Sequence, residues 1–190
     1  MVKLVLRVAG AGVMAVGLLL PFACAAAAET VTALPKLDTT RAMGAWYEIA
    51  RIPRNPEKKC TSDAMVLYAP GDKPNRFSMV TSCQIKAGSS DAWNATITLD
   101  KTGDGKLKLS YIWPFSSKYW VLAEDPAGQW TLIGSPNHKT LWVLSRTAAM
   151  APEVLAAVEA KATAQGFDTN KLVLVPQRHG ADAPIISGGN

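Results

Sequence analysis

Between Ala45 and Leu144 the chain is divided into eight short runs of strand-forming residues, and the near-even spacing of the turns between them leaves few folds open. The runs lie near 45–52, 62–69, 76–86, 92–100, 106–112, 118–124, 129–134 and 140–146. Between them stand segments such as "APGDKPN", "AGSSD", "KTGDGK", "WPFSS", "EDPAGQ" and "SPNHK", which supply Gly, Pro, Asn, Asp and Ser where a chain must reverse. This spacing predicts an all-β fold, an eight-stranded antiparallel up-and-down β-barrel.

Alternation within the runs assigns their faces. "KLKLSYI" sets Leu107, Leu109 and Tyr111 against Lys106, Lys108 and Ser110, and "WNATITL" sets Trp93, Ala95, Ile97 and Leu99 against Asn94, Thr96 and Thr98. Those apolar faces should point inward. "AMVLY" and "YWVLA" are apolar on both faces, so their outer sides need a cover or a partner. A helix is expected over "APEVLAAVEAKATAQG": Pro152 suits the first turn, Glu153 faces the positive end of the dipole, Gly166 stops it, and Val154, Leu155, Val158 and Ala162 form its apolar stripe. A last strand is expected over 171–177.

Residues 1–28 have the form of an export signal, with Lys3 and Arg7 ahead of the apolar run Val13–Leu20 and small residues after it. Cleavage near Ala28 would send a soluble protein to the periplasm. The alternative is cleavage before Cys24 and lipid attachment in the outer membrane, for which Pro21 and Phe22 form a poor recognition box. The 162 residues left after Ala28 carry 18 basic and 15 acidic side chains, a net charge of +3 that calls for no nucleic acid. They make most simply one domain, 29–179, followed by a Gly-ending tail, 180–190. Two cysteines remain, and folding the chain about residues 70–75 brings Cys60 nearly opposite Cys83; an exported chain would join them as a disulfide, the alternative being two free buried thiols. His138 and His179 stand alone in polar loops, so no metal is expected.

"GAWYEIARIP", "YIWPF", "LWVLSRT" and "QGFDTNKLVLVPQ", in that order, resemble the lipocalins, and most closely the bacterial outer-membrane lipocalins that group with apolipoprotein D and the plant temperature-induced lipocalins. The likeness runs from about Leu37 to Gln177, although "SKYWVLAED" stands where the family's threonine-aspartate-tyrosine motif is usual. The resemblance implies that Gly44 and Trp46 open the first strand at the closed end of the barrel and that Arg146 lies across the Trp46 indole, a structural plug. It also implies a small hydrophobic ligand, such as a fatty acid or lysophospholipid, with no cofactor.

From Trp46, period two would turn Glu48, Ala50 and Ile52 into the lumen. Glu48 then needs a polar partner low in the barrel or is read by the ligand, and its nearness to the plug favours the partner. Inward faces give the wall candidates Ala50, Phe77, Met79, Trp93, Ile97, Leu109, Tyr111, Tyr119 and Trp142. Loops 53–61, 87–91, 113–117 and 135–139 should surround the mouth, where Arg54, Lys58, Lys59, Lys86, Lys118, His138 and Lys139 outnumber Glu57 and Asp91. That excess is either a collar for anionic head groups or an ordinary solvated rim. "WPF", 113–115, either dips into a membrane or partner surface or folds back as a lid. The leading function is a binding module, monomer or homodimer. With no nucleophile and base beside Glu48, no catalytic residue is assigned; a lipid-modifying enzyme and a protein-interaction module are the alternatives.

Overall fold

The computed structural model describes residues 30–55, 57–86 and 88–179; the signal segment, Cys24 and the tail 180–190 lie outside them. Eight antiparallel strands follow one another around a closed barrel: β1 (Gly44–Ile52), β2 (Ser62–Pro70), β3 (Arg76–Lys86), β4 (Ser89–Leu99), β5 (Lys106–Ile112), β6 (Phe115–Glu124), β7 (Trp130–Gly134) and β8 (Leu141–Ser145). Closure comes from β1, which pairs with β2 through Gly44–Tyr47 and with β8 through Tyr47–Ile52. Helix α1 (Thr39–Ala42) precedes the barrel and α2 (Pro152–Thr163) follows it. A ninth strand, β9 (Val173–Leu174), is bonded to β1 outside the barrel. It is much shorter than the 171–177 expected, because Thr169–Lys171 close into a 3₁₀ turn first.

The barrel wall separates two cores. Inside lie Trp46, Val66, Ile97, Leu109, Ile133 and Trp142. Outside, Ile49, Ala50, Leu132 and Val143 meet Val158 and Ala162 of α2 and Phe167 beyond it. Burying each such large side chain is worth about 1.5–3 kcal/mol, so the helix is held by its stripe and not by intrinsic propensity. Of the expected stripe, Val158 and Ala162 are fully buried and Leu155 packs partly. The segment after α2 can close on the barrel because residue 134 is glycine: a Cβ there would stand 2.5 Å from the Phe167 ring.

The doubly apolar strands are largely covered on both sides, Leu67 of β2 being half-buried. On β6, Tyr119 and Val121 face in, while Trp120 and Leu122 join the outer core beside Val31. The N-terminal strap lies there because Leu34 donates its N–H to Val121 O at 2.8 Å and accepts from Gly105 N at 2.8 Å. On β2, Val66 and Tyr68 face in and Met65 faces out.

One local irregularity redirects β1. Glu48 pairs with Leu144 and Ala50 with the adjacent Val143, so Ile49 is an extra residue, a β-bulge. Both Ile49 and Ala50 therefore join the outer core; Arg51 turns inward and Ile52 outward. The expectation that Ala50 and Ile52 line the lumen is overturned: period two holds only as far as Glu48.

Candidate functional site

The closed end is built by β1, β8 and α1. Asp38 caps α1 through its carboxylate, which accepts from Thr40 N at 3.0 Å and Arg41 N at 3.3 Å. The turn carries Ala42 O to 2.8 Å from the Trp46 indole nitrogen, which donates to it. The Arg146 guanidinium lies over that indole at 3.5 Å from its centroid and donates to Ala45 O, Arg41 O and Met43 O at 2.7, 2.5 and 2.8 Å. A cation with three carbonyl acceptors and a π-face is satisfied without a carboxylate. Gly44, at φ +90°, makes the turn into β1 directly beneath Arg146.

Above the plug the interior is apolar, and above that it is charged. Arg51 Nη1 donates to Glu48 Oε1 at 2.8 Å, with both side chains almost fully buried. Arg51 Nη2 donates to Glu57 O at 3.2 Å and Cys60 O at 3.0 Å, fastening the loop after β1 to the barrel. Within that loop Glu57 is 2% exposed, and Arg54 Nε lies 2.9 Å from its Oε1. Arg54 also reaches across the lumen: its guanidinium carbon is 4.7 Å from the Tyr111 ring centroid and 5.5 Å from that of Trp142, and it donates to the Tyr111 hydroxyl. Burial pushes the Glu48 carboxyl up, the Glu57 charge adds to that push, and Arg51 offsets it only in part. Burial likewise pushes Glu57 up against the pull of Arg54. The Cys60–Cys83 disulfide, with Cα atoms 5.6 Å apart, straps the same loop to β3.

The lumen is nearly filled. A lower hollow of about 50 Å³ lies between Met43, Trp46, Phe77, Ile97, Leu99 and Val121, and an upper one of about 30 Å³ lies between Glu48, Arg54, Met79, Tyr111, Trp142 and Leu144. Each has room for little more than a water molecule. Outside Arg54 the mouth opens as a groove of about 680 Å³. Lys58, Lys118, Lys139 and Arg54 line it, with no carboxylate among its described lining residues.

Of the wall candidates, Met79, Ile97, Leu109, Tyr119 and Trp142 are buried together, with Phe77 and Tyr111 packed against them. Trp93 sits higher, against the disulfide, and Ala50 lies under α2. The collar is smaller than the sequence suggested. Lys59 pairs with Asp91, Arg54 is turned inward onto Glu57, and Lys86 is exposed away from the groove. His138 is drawn off to the helix, its Nε2 2.9 Å from Gln165 O and its ring against Phe167. At the tip of the β5–β6 hairpin, Ile112, Trp113 and Phe115 are 72, 85 and 77% exposed, so the tip stands clear and does not fold back as a lid.

Two inward residues, Arg51 and Glu57, escaped the sequence reading. A bulge leaves no mark in the alternation, and Glu57 sits in a 3₁₀ turn where no period applies. The α1 turn did carry a signal, Asp38 ahead of "TTRA".

Residues 37–177 match the family model described as a Lipocalin-like domain. The chain is 35% identical over 151 residues to temperature-induced lipocalin-1 of Arabidopsis thaliana, covering 74% of this chain and 80% of the relative. It is 31% identical over 161 residues to the outer membrane lipoprotein Blc of Citrobacter freundii, covering 77% and 83%. Among solved structures, insecticyanin of the tobacco hornworm Manduca sexta superposes with a TM-score of 0.63 at 20% identity, covering 83% of this chain and 88% of that one, a likeness of fold alone.

Proposed function

We propose, from the premise that this chain belongs to the lipocalin-like family, that it takes up single-chain hydrophobic lipids, fatty acids or lysophospholipids, and stores or ferries them in the cell envelope. The observation that carries this reading is the inner column itself. Apolar and aromatic side chains run from the Trp46–Arg146 plug to Trp142, and beyond the closed Glu48–Arg51 pair Arg54 is the cation that lies against the Trp142 ring. An acyl chain fits the column, and an anionic or zwitterionic head fits the basic groove outside it. The column is nearly filled by its own side chains, so uptake requires Arg54 and the aromatic side chains around it to move. Binding is favoured over catalysis by the state of the reactive groups: the two cysteines of the barrel are joined and Glu48 is held by Arg51.

The test is direct. Purified protein is stripped with organic solvent, the extract is identified, and oleic acid and 1-oleoyl-lysophosphatidylcholine are titrated back while tryptophan emission is followed. Saturable changes at micromolar lipid are expected, and Leu109→Trp, which fills the column, should weaken them at least about tenfold. Unchanged emission with both lipids in the parent protein would remove the lipid-carrier reading.

The name of the Blc relatives supports an envelope location, and the mass of the protein recovered from envelope fractions separates a soluble form from one lipidated at Cys24. The exposed Ile112–Trp113–Phe115 tip beside Lys118 supports peripheral membrane contact during delivery. Trp113→Ser with Phe115→Ser should abolish co-sedimentation with vesicles containing phosphatidylglycerol; equal sedimentation of both forms would count against that contact.

A further inference from the structure

Arg54 is the one described residue that lines both the upper hollow of the lumen and the basic groove outside it. Its guanidinium is therefore the partition between the inside of the barrel and the mouth. It is not held there by the aromatic rings alone. The Glu57 carboxylate, 2% exposed, forms an ion pair with Arg54, its Oε1 2.9 Å from Nε, and accepts the Arg54 backbone N–H at 3.4 Å. A carboxylate in this place costs free energy by desolvation unless a cation offsets it, and Arg54 is the cation that does.

We propose that Glu57 is a built-in substitute for the head group of the ligand: its carboxylate occupies the Arg54 guanidinium that a carboxylate or phosphate on an incoming single-chain lipid takes over. This rests on the lipid-carrier reading and adds to it a charge class, an anionic amphiphile, and the two residues that select it. The geometry supports an exchange of partners in place. The backbone is fastened at Glu57 and at Cys60, because Arg51 binds Glu57 O and Cys60 O and the disulfide holds Cys60 to Cys83. Glu57 consequently cannot leave with an opening loop, and the mobile group is the long Arg54 side chain. Swinging outward, Arg54 leaves Glu57 and enters the groove beside Lys58, Lys118 and Lys139, where an anion is stabilised by several cations at once. The same swing removes the partition, so admission of the acyl chain and capture of the head are one movement. A neutral lipid has nothing to offer Arg54 in exchange, so once its chain is inside the guanidinium returns to Glu57, and competition with Glu57 is met by the anionic lipid alone.

The experiment compares two ligands with the same chain, 1-oleoyl-lysophosphatidylglycerol, which stays anionic, and 1-oleoylglycerol, which is uncharged. Dissociation constants are measured below the micellar range on delipidated, disulfide-intact protein, and the readout is the ratio of the two. The parent protein should prefer the anionic lipid. In Glu57→Gln the competitor is gone, and that preference should rise at least ~5-fold; in Arg54→Gln it should collapse to about parity. Near-UV circular dichroism establishes that each variant is folded, and if Glu57→Gln does not fold, Arg54→Gln with Arg54→Lys decides, the lysine keeping part of the preference. A ratio that stays within about twofold of the parent in Glu57→Gln, or a preference that survives Arg54→Gln, overturns the proposal while leaving lipid carriage standing. Failure of the parent protein to bind either lipid overturns both.

Discussion

Replacing Arg51 by methionine tests the buried charge tier most severely. Methionine retains much of the aliphatic volume but removes the donor 2.8 Å from Glu48 and the two bonds to Glu57 O and Cys60 O. Glu48, 1% exposed, is then an acid without its partner in a nearly filled lumen. Breaking one side of such a pair costs about 3–5 kcal/mol. For a chain of this length that lowers Tm by roughly 6–20 °C at neutral pH. The dependence on pH is more diagnostic than the size. Burial, aided by the Glu57 charge, raises the folded Glu48 pKa from 4.5 to about 7 in the parent protein. A raised folded value means that the native state holds the proton more tightly than the unfolded chain. The associated stability is fully present below pH 4.5 and is lost as pH rises through about 7. Arg51 lowers that value, so its removal raises it further and extends the loss to higher pH. Urea denaturation of Arg51→Met at pH 5 and pH 8.5 should therefore show a small deficit at the lower pH and the full one at the higher. Glu48→Leu combined with Arg51→Met, which replaces the pair by apolar groups, should recover most of the stability at pH 8.5. Equal deficits at both pH values, or a double variant no better than Arg51→Met alone, would refute the assignment of Glu48 and Arg51 as a buried, mutually dependent pair.

Two further outcomes follow from single contacts. Cys60→Ser with Cys83→Ser opens a loop spanning a sequence separation of 23, which on chain-entropy grounds costs about 3 kcal/mol; a denaturation midpoint unchanged between reduced and oxidised parent protein would contradict this. Gly134→Ala drives a Cβ to 2.5 Å from Phe167 and 2.9 Å from Leu122, costing about 1–3 kcal/mol and loosening α2 first, as amide exchange over 152–163 would show; protection equal to the parent's would mean that the outer core yields more easily than its packing implies.

The barrel was legible in the sequence because turn chemistry and side-chain alternation act locally, and both were intact in "PGDKPN" and "KLKLSYI". The strand limits moved little, except that β4 and β6 begin earlier, at Ser89 and Phe115, where polar residues carry the pairing into the mouth. The disulfide was readable because the β2–β3 turn fixes which residues oppose each other. What governs the upper lumen was not readable. The inward turn of Arg51 depends on a bulge, the burial of Glu57 on a short 3₁₀ turn, and the inward reach of Arg54 on the Tyr111 ring opposite. Each is a tertiary outcome with no period to betray it. Charge counting at the mouth went astray for the same reason, since His138, Arg54 and Lys59 each find a partner that only the folded chain supplies.

The extra residue at Ile49 gives β1 a reading frame. Counting from Trp46, even-numbered side chains face the lumen as far as Glu48, and after the bulge the odd-numbered Arg51 does. Deleting Ile49 would only remove the bulge and leave plain alternation, with Glu48 and Arg51 still inward and Ile52 outward; flattening the bulge at unchanged length would instead shift every residue from Ala50 to Ile52 by one face. With the bulge flattened in that way, the guanidinium would be pressed against Val143 and Val158 while Ile52 took its place beside Glu48. The face that Arg51 takes is thus set by whether the strand is bulged, and chains that share this barrel and this length of β1 but pair it without a bulge must differ in which of their charges lie inside.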